Sequence, residues 1–509
     1  MIGLDGPVFV CEYWTMKSTP DSPRHASKPD PIAHGTGLLL ATLSIATVSY
    51  TLVQSMVNPG LEALRGHVHT DQVGVSWVLT AFLLSSAVLT PVLGRLGDRV
   101  GKRNTMMAML GVLTVGSVIA ALATSLPLLV VGRVVQGAGG ATLPLAFGIV
   151  RDLVPRAKVG ATVGMIAATS SVGGAIGVLV TGPIITHLGV PWLFWLPAIA
   201  NAAVALAVFL FIPRSGVTAE GRMNWAAALA LAATLVLLLL PLSLGQEWGW
   251  GSARTLVLFA AAIVAGGIWA AVETRSRHPL IDMQVFRLRP VWTANVASFF
   301  FGVTLYSSFG FIPSFLQVPT STGYGLGESI AVSGLLFLPI TVTQFVSGFA
   351  AGPLARIIPA KHLLVFGSVP VIVSFSLISA FHEQVWQIIV ATSIGGIGFG
   401  IGLSALSAVV VHAVPAEHTG AASGMNANIR TIGGAVGAAL VSSVLTSSTT
   451  GGGYPSDGGY TAAFALLAVA AVAGLASCLL IPGRSRHTVH SQDTPAQRVA
   501  ELADQHSPF

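Results

Sequence analysis

Residues 154–177 read VPRAKVGATVGMIAATSSVGGAIG, and residues 414–437 read VPAEHTGAASGMNANIRTIGGAVG. The two segments align without a gap at an offset of 260 residues. They share the opening Val-Pro, Gly160 with Gly420, Gly164 with Gly424, Met165 with Met425, and Gly173 with Gly433. Chance likeness between apolar segments does not hold register over that length, so the chain carries an internal repeat. A second pair lies at nearly the same offset, 258, where Gly94-Arg-Leu-Gly-Asp98 matches Gly352-Pro-Leu-Ala-Arg356. Both matches run in the same sense, so the two halves are parallel copies.

What repeats belongs in a membrane. Of the 509 residues 53% are hydrophobic and only 9% are charged, too few to clothe soluble domains. The 57 glycines suit close helix packing in lipid. Apolar runs of the length a helix needs to cross hydrocarbon lie near 36–57, 72–93, 105–124, 128–150, 160–186, 192–212, 225–243, 254–272, 291–316, 329–351, 363–381, 385–411, 420–446 and 461–481. The sequence therefore predicts an all-α polytopic membrane protein of fourteen spans. The offset holds eight spans, an even number, as a parallel repeat requires. Spans 1–6 (residues 36–213) and 9–14 (290–482) form the halves, and residues 214–289 hold an inserted pair. Residues 1–35 read as a polar, disordered cytoplasmic tail and 483–509 as a second cytoplasmic tail, and Met16 reads as an ordinary cytoplasmic start.

The distribution of Lys and Arg tests the count independently. With the N-terminus inside, 21 of the 25 basic residues fall on the cytoplasmic side. Arg65 and Arg254 fall outside, and Arg133 and Arg430 lie within spans. Both termini are expected in the cytoplasm, with the chain in the cell membrane. The net charge of +6 reflects these loops and forms no stripe for nucleic acid. Cys11 and Cys478 offer no zinc or redox spacing. There is no HExxH, no complete GxGxxG and no GxSxG, and Arg103 follows Gly101-Lys102 where a phosphate loop needs Ser or Thr. These absences argue against an enzyme or an ATP-driven pump, and no cofactor or metal is expected.

Gly94 to Arg103, GRLGDRVGKR, resembles the signature between spans 2 and 3 of the major facilitator superfamily. Leu129, Arg133, Gln136, Gly137 and Gly139 on span 4 resemble its second signature. Gly173 and Gly177 on span 5 keep the glycine spacing of a third, although Val178 stands where the antiporter pattern has proline. The stretch from Glu273 to Arg287, leading into span 9, resembles the link that follows the inserted pair in the fourteen-span drug:proton antiporters. With Phe315-Leu-Gln317 and Gly334 to Pro339 the likeness extends from span 1 to span 14. It implies two six-helix bundles related about the membrane normal, alternating access, export of drug-like molecules and the proton as coupling ion. An uptake or metabolite permease and a non-transporting membrane sensor or scaffold remain alternatives on the same fold.

The resemblance implies a gate latch at Gly94, Asp98, Arg99, Gly101, Lys102 and Arg103. Physically, Gly94 permits close helix contact, and Asp98 can accept from a facing helix N-terminus or pair with a base. Arg99, Lys102 and Arg103 hold the loop in the cytoplasm. Arg356 gives the second half the opposite sign at the position of Asp98. Gly173 and Gly177 permit close packing, with Gly182-Pro183 as a candidate kink. An arginine within a span, such as Arg133, must face a cavity or a partner. The family links this one to proton transfer; packing against carbonyls is the alternative.

Span 1 departs from the family. Tyr50 occupies the position of a membrane aspartate, and none of the 19 acidic residues falls in the middle of a span. Tyr50, Gln54 and Asn58 share one helical face, which cannot sensibly meet lipid. Gln344, Asn426 and Arg430 are comparable. These residues either line a path or bond between helices. The expected partners are the bilayer and a neutral or anionic amphiphilic small molecule, with no nucleic acid and no obligate protein partner. Phe299, Phe300, Phe301, Tyr306 and Phe309 offer aromatic surface, and Trp248 and Trp250 read as interface anchors.

Overall fold

The computed structural model describes residues 36–482 apart from 58, 71, 215–222, 277–278, 280–282, 356, 416–417 and 449–453. Both tails and Arg356 lie outside the described residues. Among these residues fourteen helices are long and apolar enough to cross a membrane, the number the sequence predicts. They are α1 (Thr36–Ser55), α2 (Gln72–Val100), α3 (Lys102–Ala121), α4 (Leu126–Leu153), α5 (Arg156–His187), α6 (Trp192–Phe211) and α7 (Trp225–Trp248). The remainder are α8 (Ala253–Arg275), α9 (Arg289–Leu316), α10 (Val332–Leu354), α11 (Ala360–Ala380), α12 (Val385–Ala413), α13 (Thr419–Ser447) and α14 (Asp457–Leu479).

The repeat is visible in the packing. In the first half α1 lies on α5, α2 on α4, and α3 on α6; in the second α9 lies on α13, α10 on α12, and α11 on α14. Glycine makes the first of these pairings close in both halves. A Cβ on Gly173 would collide with the Val48 carbonyl of α1, and one on Gly433 with the Phe299 carbonyl of α9. Gly177 meets Ser55 and Leu52 in the same way. Such contacts supply dispersion energy where lipid gives helices no hydrophobic reason to associate. The kink expected near Gly182-Pro183 does not end the helix, since α5 runs on to His187 with Pro183 inside it.

Two helices are interrupted. In α4 a 3-10 turn at Gly137–Ala141 separates Leu126–Gln136 from Thr142–Leu153. The sequence GAGGA has poor helix propensity, and its small residues let neighbours approach. A Cβ on Gly139 would stand 2.6 Å from the Tyr50 ring. In α10 the break falls at Phe337, just before Pro339.

The halves meet along two seams. On one side α5 lies against α10 and α12; on the other α2 and the end of α4 lie against α13. The inserted α7 packs on α2 and α13, and α8 packs on α7.

Candidate functional site

At one end of the bundle the halves are tied together. Asp98, in the last turn of α2, accepts hydrogen bonds from the main-chain N–H groups of Gly420 (3.1 Å) and Ala421 (3.0 Å). These N–H groups belong to the first turn of α13, where no helical carbonyl is available and the helix dipole is positive. Gly94 makes the approach possible, because a Cβ there would sit 2.7 Å from the Gly420 carbonyl oxygen. Gly101, at φ +104°, turns the chain into α3 and folds Lys102 back beneath α2.

Lys102 is fully buried, 3.0 Å from Asp152 and 3.6 Å from Asp98. Beyond holding the loop, it sits within the latch cluster and pairs with both carboxylates. Asp152 escaped the sequence reading because it sits among Arg151, Arg156 and Lys158, a cluster read purely as topology. Arg103 donates to the Phe209 carbonyl at 2.6 Å and lies over the Phe209 ring, tying α3 to α6. Arg99, next to Asp98 in the chain, is half-buried. Arg95 and His418 approach to 3.2 Å, Arg151 donates to the Val411 carbonyl, and Ser404 donates to the Gly164 carbonyl at 3.0 Å. Each of these three contacts joins one half to the other.

Beyond the latch a cavity of about 830 Å³ opens toward the opposite end. Thr90, Phe147 and Ser407 lie toward its floor; Pro59, Leu61, Trp250, Gln317 and Ser333 mark its rim. Both halves contribute, through α1, α2, α4 and α5 and through α9, α10, α12 and α13. Tyr50, Gln54, Arg133, Gln344 and Arg430 all line it. Asn58, the last member of the predicted stripe on α1, lies outside the described residues. No Asp, Glu, His or Lys among the described residues lines the cavity, so its two arginines are uncompensated there.

Arg133 does both things that a buried arginine can do. Its Nε donates to the Val78 carbonyl at 3.0 Å, one Nη donates to Gln136 Oε1 at 2.8 Å, and the guanidinium lies 4.2 Å from the Phe82 ring centroid. Its Nη2 is buried and has no hydrogen-bond partner among the described residues. Gln136 passes the chain on to the Ser117 hydroxyl at 2.9 Å and stands behind the cavity wall. Tyr50 stacks at 6.4 Å on Phe82, and its hydroxyl lies 3.4 Å from that of Ser86. The Arg430 guanidinium makes no hydrogen bond or ion pair among the described residues.

Other expectations divide. Asn426 donates to Asn295 at 2.8 Å and accepts from Ser298 at 3.0 Å, so its amide bonds α13 to α9 and does not line the large cavity. Tyr306 and Phe309 line the cavity, whereas Phe301 is buried against Phe399. Phe82, Phe311 and Phe337 also line it and carried no sequence signal that separates them from core residues. Trp248 stacks under Arg254 at 3.6 Å, but Trp250 turns inward to the cavity rim. The positive φ of Gly249, +82°, redirects the chain between the two tryptophans.

The family model described as Major Facilitator Superfamily matches residues 43–438, and again residues 320–505. The chain belongs to the Major Facilitator Superfamily. Relatives within it transport different cargo. The multidrug transporter protein MdtP of Bacillus subtilis is 26% identical over 420 residues, covering 80% of this chain and 75% of that protein. The uridine/deoxyuridine transporter of Lactococcus lactis is 27% identical over 446 residues, covering 82% and 89%. Among solved structures the human organic anion transporter TETRAN superposes with a TM-score of 0.62 at 16% identity, over 89% of this chain and all of that one. That likeness concerns the fold. The chain is thus a non-enzymatic transporter with a small-molecule substrate, embedded in a membrane by many spans.

Proposed function

We propose that this transporter exports amphiphilic small molecules by alternating access, from the side that bears Asp98 and the basic loops to the side where the cavity opens. The observation that carries this reading is a single cavity walled by both halves, latched at one end and open at the other. Breaking the latch while closing the rim would present the same wall to the opposite side. The positive-inside rule supports a cytoplasmic latch and cytoplasmic termini, and the proposed location is the cell membrane. Likeness to a multidrug transporter supports export; likeness to a nucleoside transporter supports uptake as the second reading.

The proposed cargo is neutral or anionic. Two arginines without a lining carboxylate among the described residues repel a cationic drug and favour an acidic group, while Leu305, Phe309 and Phe311 accept an apolar body. The proposed coupling ion is the proton, making the protein an antiporter. Its binding site lies away from the cavity wall, which has no carboxylate or imidazole among the described residues.

The test is accumulation of a panel of labelled anionic, neutral and cationic amphiphiles in an efflux-deficient host, with and without a protonophore. Lower accumulation of anionic or neutral members, reversed by the protonophore, is expected. Raised accumulation would overturn export in favour of uptake, and protonophore-insensitive export would overturn proton drive.

A further inference from the structure

The two inserted helices have unequal surroundings. Helix α8 packs on α7 and turns most of its surface outward; Val257, Ile263 and Val264 are 64%, 78% and 62% exposed. Helix α7 instead lies in the seam between the halves. Its Leu231, Leu235 and Leu239 are buried in one apolar cluster with Ala87 of α2 and Met425 of α13.

At the latch end α2 and α13 need no intermediary, since Gly94 and Gly420 bring their backbones together. Further along, the Asn428 amide of α13 still reaches the Ala87 carbonyl of α2 at 2.5 Å. Toward the rim both helices carry cavity-lining residues, Leu83 on α2 and Ala438 on α13, and α7 joins them in the wall. Leu239, Leu242 and Ser243 of α7 face the cavity, and Trp250 of the α7–α8 connection stands at its rim. A fissure there, left unfilled, would open the cavity to lipid.

We infer that α7 is a working wall of the substrate cavity: it seals the α2–α13 seam against lipid and sets substrate selectivity through Leu239, Leu242 and Ser243. The inference rests on the cavity being the substrate path. Between Leu235 and Leu244 the only polar side chain is Ser243, and it falls on the cavity face, as a wall residue on an otherwise lipid-compatible helix should. The ligand class is an amphiphile whose apolar body lies on Leu239 and Leu242.

The test uses the full chain in proteoliposomes, with Cys11→Ser and Cys478→Ser as background. Single substitutions Leu242→Cys and Ser243→Cys on α7 are compared with Ala438→Cys on α13 and with Leu229→Cys, whose site on α7 is 69% exposed at the outer surface of the helix bundle. The probe is the membrane-impermeant sulfonatoethyl methanethiosulfonate. Labelling at 242, 243 and 438 but not at 229 is the expected result. Labelling at 438 alone would overturn the role of α7 and leave the cavity standing; labelling at none of the three would overturn both. A second measurement reads selectivity. Leu242→Trp should lower export of decyl sulfate relative to hexyl sulfate by tenfold or more, whereas Leu229→Trp should leave that ratio alone. An unchanged ratio in Leu242→Trp would overturn the selectivity role.

Discussion

Asp98 and Gly420 lie in different halves of the repeat, and the Asp98 carboxylate accepts the Gly420 N–H at 3.1 Å. The second carboxylate oxygen takes the neighbouring Ala421 N–H, so one side chain holds the positive end of α13. Asp98→Asn keeps the shape but loses the charge and turns one acceptor into a donor facing an N–H. Transport should fall tenfold or more at normal expression, measured as export from everted vesicles. Wild-type rates would remove the latch from the mechanism.

Gly94→Val tests the same contact through sterics alone. The added carbons meet backbone, the Gly420 carbonyl at 2.7 Å, which cannot swing aside as a side chain can. The latch end should be forced open. Spin labels at Lys158 and His362, on opposite halves, should show longer distances by double electron–electron resonance than in the parent protein. An unchanged distance distribution would mean that the halves do not close through this point.

Arg430 should set charge preference. With Ser170→Cys as a reporter on the cavity wall, a sulfonate-bearing thiol reagent should react several-fold faster than a trimethylammonium one, as a local positive potential requires. Arg430→Gln should remove most of that difference and weaken export of anionic probes, and Arg430→Lys should retain part of both. Equal reactivity in the parent protein would show that the arginines do not govern the field in the cavity.

Arg133 should carry more of the stability. Arg133→Ala strands the Val78 carbonyl and Gln136, each bond to a charged group contributing about 1.5–3 kcal/mol. A clear drop in thermal midpoint in detergent is expected, larger than for Arg430→Gln, whose guanidinium has no such bonds. Equal midpoints would place Arg133 outside the packing.

Asn426 stands one helical turn before Arg430, and its substitution should read differently. Asn426→Ala breaks the bonds to Asn295 and Ser298 and should cost about 1 kcal/mol, the scale of interhelical bonds in membranes. Substrate preference should be unchanged. A switch in the ranking of the panel would move Asn426 from the α9–α13 interface into the path.

Most of the architecture was legible because lipid imposes length and apolarity on every span, and because the repeat kept Gly160 aligned with Gly420 and Gly173 with Gly433. The site was legible only where a polar residue stood out against an apolar run. Tyr50, Gln54, Arg133, Gln344 and Arg430 met that condition and do line the cavity. Asn426 met it too, yet an amide in a span can equally bond to a neighbour, and the sequence does not show which face meets which helix. Asp152 was hidden because a carboxylate amid arginines looks like part of a loop until Lys102 is seen to fold back onto it. Trp250 was read as an anchor because its inward turn depends on the backbone at Gly249.

Two guanidinium groups with no counter-charge lining the cavity among the described residues make the empty cavity an electrical object. Where the membrane is negative on the latch side, the field pulls an unloaded carrier toward opening on that side. A bound dianion would cancel the charge, and the loaded step would then be nearly indifferent to voltage. A unit charge crossing the whole field gains about 2.3 kcal/mol per 100 mV, so even a small fraction of that travel biases the return of the cargo-free carrier. For an exporter this is the useful direction: voltage resets the cargo-free carrier rather than pushing the cargo, and the current it produces belongs to the return half of the cycle, the half on which an antiported proton travels.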